Sequence, residues 1–195
     1  EQRIVSVSQP HIRPMVRGKL VSKVEFGAKL ALSLENGYAR VEKLSFTAFN
    51  ESTTLQDSCE RYKARNGCYP ERVLTDKIYR TRKNLQYCAE HGIALNGPKL
   101  GRPPKDRRLY ETQKRLERQE AGERNAIEGK FGEAKRRYGL NRVMTRLPGT
   151  SASVIHLITI VMNLKKSLRD LLLAFFQLCQ RGCSWSPWAN YAFAQ

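Results

Sequence analysis

Acidic residues are scarce in this chain: 18 Asp and Glu stand against 35 Lys and Arg, a net charge of +17 over 195 residues. That imbalance exceeds what solubility asks for and points to a polyanionic partner. The charge is spread along the chain rather than gathered beside one apolar anchor, so nucleic acid is expected and a membrane surface is not. Long hydrophobic runs are missing too. The most apolar stretch, 154–164, contains His156 and Asn163 and falls well short of the ~20 residues of a membrane span, so it reads as a core helix. Five cysteines (Cys59, Cys68, Cys88, Cys179, Cys183) include no C-x-x-C pair, which makes free thiols in a reducing cytoplasm the expectation. His11, His91 and His156 are too scattered to form a metal cluster. The chain opens without Met and without a signal-peptide pattern, so a fragment or a processed chain is expected rather than a secreted precursor.

What is present is enough apolar material, 41% of residues, for one domain core. Residues 1–23 hold Pro10, Pro14 and Gly18 among scattered basic residues and read as an irregular, basic arm. From residue 24 the text becomes regular. Asn36-Gly37 sits between two strand-like runs, and both residues tolerate the positive φ of a tight hairpin. Residues 52–66 place Leu55, Cys59 and Tyr62 at helical spacing and stop at Gly67. The run 72–76 ends in Asp76, and after it a helical stretch, 81–90, closes at Gly92 before Ile93-Ala-Leu-Asn. Strand, helix and strand in that order predict an α/β fold with a buried parallel strand, and Asp76 at that strand's C-terminal end, where open α/β sheets place their sites.

Residues 97–108 carry three prolines, two glycines and five basic residues, the composition of a basic linker. From 109 to about 140 the chain is charged and helix-forming, with a local break expected at Gly122. Thr150-Ser151 offers a cap for a last amphipathic helix to about residue 178, leaving 179–195 as an irregular tail. The predicted organisation is therefore an arm (1–23), one domain (24–178) and a tail.

Within the long charged helix, Arg124, Glu128 and Lys135 fall within roughly 40° of one another at ~100° per residue, on one stripe. A carboxylate with cations above and below it suits a phosphodiester site, the carboxylate for a metal and the cations for phosphates. An exposed helix with ordinary i,i+4 ion pairs fits the same spacing. From Arg124 to Arg146 there are seven basic residues against two acidic ones, Arg136 and Arg137 among them, and these are candidates to follow a DNA backbone. Arg102 and Lys105, in Leu-Gly-Arg-Pro-Pro-Lys, resemble the core of a minor-groove hook as well as a plain basic linker.

The pattern Arg124, three residues, Glu128, six residues, Lys135 resembles the signature helix of bacterial insertion-sequence transposases of the DDE type. Thr75-Asp76-Lys77-Ile-Tyr79 with Thr81-Arg82-Lys83-Asn84 resembles the segment around that family's second catalytic Asp. The stretches His11 to Lys19 and Val24 to Lys29 resemble the approach to the family's second strand, so the likeness spans about residues 3 to 170. It implies a ribonuclease H-like fold, a mixed sheet flanked by helices, here incomplete at its N-terminal strand. It also implies that Asp76 and Glu128 are two of three catalytic, metal-binding carboxylates gathered around two Mg²⁺ or Mn²⁺ ions, with Arg124 and Lys135 in support. The implied partners are transposon ends and target DNA, in a bacterial cytoplasm at the nucleoid, with homo-oligomers or pairing with a full-length transposase as a further implication.

Two departures stand out. Ala121 occupies the position where the family has a Tyr, three residues before the signature Arg. No Asp precedes Asp57, which belongs to the helix after the hairpin, so the first carboxylate is absent. The expected activity is DNA transposition by the complete protein, this chain alone being inactive; the alternative is a truncated transposase that binds DNA or inhibits.

Overall fold

The Asn36-Gly37 turn sets the first layer. Both residues adopt positive φ, 50° and 80°, and fold β3 (Lys29–Glu35) antiparallel onto β4 (Tyr38–Ser45). A computed structural model provides the coordinates, and it describes residues 6–16, 24–97 and 106–182. Before the hairpin, β1 (Pro14–Val16) pairs antiparallel with β2 (Val24–Phe26). Residues 14–16 are thus a strand inside the arm expected to be irregular: Met15 is buried, and its burial, together with β2, overrides the prolines nearby.

After the hairpin, a short 3₁₀ turn over 51–54, capped by the Asn50 side chain, leads into α1 (Leu55–Asn66). Gly67, left-handed at φ 78°, ends α1 as its spacing predicts. β5 (Arg72–Val73), α2 (Arg82–Glu90) and β6 (Ala94–Leu95) follow, and β5 and β6 pair in parallel. The strand–helix–strand order is therefore correct, but β5 is two residues long and its Arg72 is exposed, so it is not a buried strand. The six strands form three separate two-stranded sheets among the described residues.

A small core gathers under this unit: Leu55 and Cys59 of α1 meet Cys88 of α2 and Ile93, with Tyr69, Val73, Tyr79, Tyr87 and Leu95 packed around them. Burial, with Cys88 next to it, pushes the Cys59 thiol up to about 12, which makes it a packing group and not a nucleophile. The described cysteines, Cys59, Cys68, Cys88 and Cys179, are all free. α1 is fastened to the hairpin through Glu42, a buried residue of β4, which accepts from Ser33 Oγ at 2.6 Å and pairs with Arg61.

Two long helices complete the fold. α3 (Arg107–Arg137) runs without interruption through Gly122, where a break was expected. One glycine costs a helix only ~1 kcal/mol, and docking contacts at Glu120, Glu123 and Arg124 bracket it. The helix stops at Arg137 because Gly139, at φ 72°, turns the chain while Tyr138 N–H and Leu140 N–H both donate to Ala134 O. α4 (Pro148–Gly182) starts at Pro148 rather than at a Thr150-Ser151 cap. A proline at the first helical position loses no hydrogen bond, and Ser151, fully buried, instead shares a 2.8 Å hydrogen bond with Thr145. α4 also continues four residues past its expected end. The rest of the tail, most of the 97–108 linker with Arg102 and Lys105, and Cys183 lie outside the described residues.

Candidate functional site

Asp76 stands three residues beyond β5, at the start of a 3₁₀ turn over Lys77–Tyr79. Its extended backbone lets Oδ1 accept from Lys77 N–H at 3.1 Å, a local cap. The residue before it is clamped from across the sheet: Asn96, just after β6, accepts from Thr75 N–H at 2.7 Å and donates Nδ2–H to Thr75 O at 3.0 Å. The turn is held from beneath by Asn84, a buried α2 residue that donates to Ser52 O and Tyr79 O, each at 2.8 Å. Tyr79 is itself buried enough that its hydroxyl is pushed above the ordinary phenol range. Asp76 therefore projects from a fixed backbone.

α3 comes to this point with three consecutive docking groups. Glu120 Oε2 accepts from Gly97 N–H at 3.3 Å, Glu123 pairs with Arg72 of β5 at 2.6 Å, and Arg124 Nη1 donates to Asp76 Oδ1 at 3.0 Å. The spacing 120, 123, 124 is one helical face, and that face rests on the C-terminal end of the β5–β6 pair. Asp76 remains 71% exposed beside Arg124 at 28%, so this is an open surface that a large ligand can reach.

Glu128 lies one turn, ~6 Å, farther along α3 from Arg124. It is exposed and makes no hydrogen bond or ion pair among the described residues. Lys135, Arg136 and Arg137 extend the same helix toward its C-terminus, all exposed, where cations also complement the helix dipole. Two residues 48 positions apart, Asp76 and Arg124, are thus in direct contact, and Glu128 follows on the helix that brings Arg124 there.

Residues 73–165, from β5 to the middle of α4, match the family model described as a transposase DDE domain. This chain carries a portion of a DDE-type transposase. Comparison with curated proteins and with solved structures gave no significant match. The matched DDE portion contains Asp76, Arg124, Glu128 and Lys135, together with the clamps Asn84 and Asn96.

Sequence reasoning did not single out Asn84, Asn96, Glu120 or Glu123 for the roles they have in the DDE portion. The available signal was positional, a polar residue immediately after a short apolar run for Asn96 and one within the first turn of a Thr-capped helix for Asn84. Carboxylate oxygens, the chemistry that Asp76 and Glu128 offer, suit a hard divalent cation. Among the described residues, however, no group of three or more His, Cys, Asp or Glu side chains could hold one, so the donor set fits a metal in part.

Proposed function

We propose that this DDE portion supplies two of the three carboxylates, Asp76 and Glu128, and the DNA-facing cations of a strand-cleaving and strand-joining site. The observation that carries the reading is the Asp76–Arg124 contact, which brings the turn after β5 against the helix of Glu128 inside the matched segment. Asp76 and Glu128 would hold Mg²⁺ or Mn²⁺, two ions in the complete enzyme. When bound, such ions activate the attacking water or 3′-hydroxyl and stabilise the leaving oxygen in an in-line displacement.

The protein's own part is positioning. Asn96 and Asn84 fix the backbone of the Asp76 turn, and Arg124 orients its carboxylate from the side. Lys135, Arg136 and Arg137 neutralise the strand's phosphates along α3, and Arg102 and Lys105 of the linker are further candidates to contact DNA. The missing carboxylate would enter on a further strand that joins the separate small sheets into one ribonuclease H-like sheet. Without it this chain by itself does not cut DNA, and it acts on transposon-end or target DNA by binding.

Iron-directed cleavage tests the shared metal site. With Fe²⁺, ascorbate and peroxide, the chain should be cut beside both Asp76 and Glu128, and Asp76→Asn should abolish both cuts; cuts at one position alone would sink the reading. Plasmid DNA incubated with the chain and Mg²⁺ or Mn²⁺ should stay intact, and nicking would refute inactivity. For binding, alanine at Lys135, Arg136 and Arg137 should lower the salt slope on a duplex by roughly 0.9 for each residue that touches a phosphate.

A further inference from the structure

Between α3 and α4 the chain crosses residues 138–147 without helix or strand. Exposure alternates along the second half of this crossing: Arg142, Met144 and Arg146 are exposed, and Val143 and Thr145 between them are half-buried, the two-residue period of an extended segment. Its inner side is pinned. Gln9 Nε2 donates to Val143 O at 2.8 Å and to Thr145 O at 2.7 Å, and the buried Ser151 of α4 donates to Thr145 O at 3.2 Å. Two carbonyl oxygens that share one amide nitrogen lie within about 5.5 Å of each other, whereas a flat strand would set them ~6.6 Å apart. The segment therefore bows around Gln9, with Met144, 71% exposed, at the middle of the bow.

The fold makes no use of the three outward side chains. Arg142 and Arg146 form no ion pair or side-chain hydrogen bond among the described residues, and they continue the exposed cations Lys135, Arg136 and Arg137 that end α3. One exposed methionine is ordinary on a protein surface. Held at the tip of a pinned bow between two unpaired guanidiniums, in a chain of net charge +17, it is set against a polyanion. Groove width then selects the place on DNA. The major groove, ~12 Å wide, admits a whole helix, whereas the minor groove, ~6 Å wide, admits little more than one side chain. Val143 and Thr145 are half-buried, so a single side chain leads. Methionine is unbranched and flexible, and it is among the apolar residues that proteins insert between base steps from the minor groove.

We infer that the bow at 142–146 enters the minor groove of duplex DNA: Arg142 and Arg146 neutralise phosphates on its two sides, and Met144 wedges between base pairs and kinks the duplex. The inference rests on the DNA-binding part of the proposed function and deepens it, and it calls on neither Asp76 nor Glu128. Gln9 is a positioning residue for the wedge, because its amide sets the bow from the inner side. Unstacking costs least at flexible pyrimidine–purine steps, so TA steps are the preferred seat of Met144.

Fluorescence energy transfer across an end-labelled duplex of about 20 base pairs with central TA steps, bound by the whole chain, tests this. The wild type should bring the ends together as a kink of roughly 20–90° does. Met144→Ala should lose most of that shortening with the salt slope of binding unchanged, and Met144→Leu should keep it. Gln9→Ala should lose it too, again at an unchanged slope. Arg142→Ala with Arg146→Ala should lower the slope by about 0.9 for each phosphate contact removed. Hydrogen exchange at Ala39 should stay slow in every variant, which separates loss of the wedge from loss of folding. A duplex that the wild type binds straight, or that Met144→Ala shortens equally, would overturn this inference alone. Absence of binding to any duplex at low salt would overturn the DNA-binding reading with it.

Discussion

α3 and α4 are of similar length and dock by opposite means. α3 is charged, and it touches the β5–β6 unit through carboxylates and a guanidinium at 120, 123 and 124. α4 is apolar, yet its most specific contact is an amide: Asn163 accepts from Ala39 N–H at 2.9 Å and donates to Ala39 O at 2.7 Å, in the manner of an added strand along β4. The difference lies in what each contact leaves uncovered. Ion pairs at the surface hold α3 loosely and leave Asp76 open to solvent. The half-buried amide holds α4 by one face and frees the other.

The comparison can be broken most forcefully at Asn163. Ala39 is 1% exposed, so Asn163→Ala strands two buried backbone groups and should lower stability by about 2–4 kcal/mol in urea unfolding; a loss under ~1 kcal/mol would put the two helices on the same footing. Next in size is Gly122→Ala, where an added methyl meets nothing within 4 Å and should stabilise by about 0.5–1 kcal/mol. No gain would mean that α3 needs the glycine as a hinge after all. Arg124→Ala should cost less than ~1 kcal/mol, as exposed pairs do, while weakening the alignment of Asp76; a larger thermal loss would make that pair structural.

The smallest effect sits at the far end of the hairpin contact. The Lys166 ammonium, 2.6 Å away, holds the Asp170 carboxyl below its ordinary 3.8, with Tyr38 assisting. A depressed carboxylate contributes in full above that ordinary value and loses its contribution as the pH falls through the lower folded value. Tyr38 ring resonances should therefore shift below pH 4 in the wild type and not in Asp170→Asn; an identical acid shift in both would detach Asp170 from the contact.

Much of the local structure was legible. Asn36-Gly37, Gly67 and Thr81 act through their own backbones or within a turn, so their effects are written in adjacent residues. The candidate residues were legible through motif likeness, since the spacing around Glu128 fits a surface ion-pair helix equally well. Less legible was the extent of β5, because a two-residue strand leaves almost no period to detect. The continuity of α3 through Gly122 was likewise hidden, since contacts made by other elements decide it.

By itself, then, the sequence determined the turn, the end of α1 at Gly67, the helical stripes and the positive charge, all properties of neighbours in the chain. Only the tertiary structure decided that Arg124 reaches Asp76, that Asn96 and Asn84 clamp the turn, and that Asn163 rather than the leucines seats α4. These are hydrogen bonds between polar groups far apart in sequence, and directional contacts of that kind have no signature until folding brings donor and acceptor within about 3 Å.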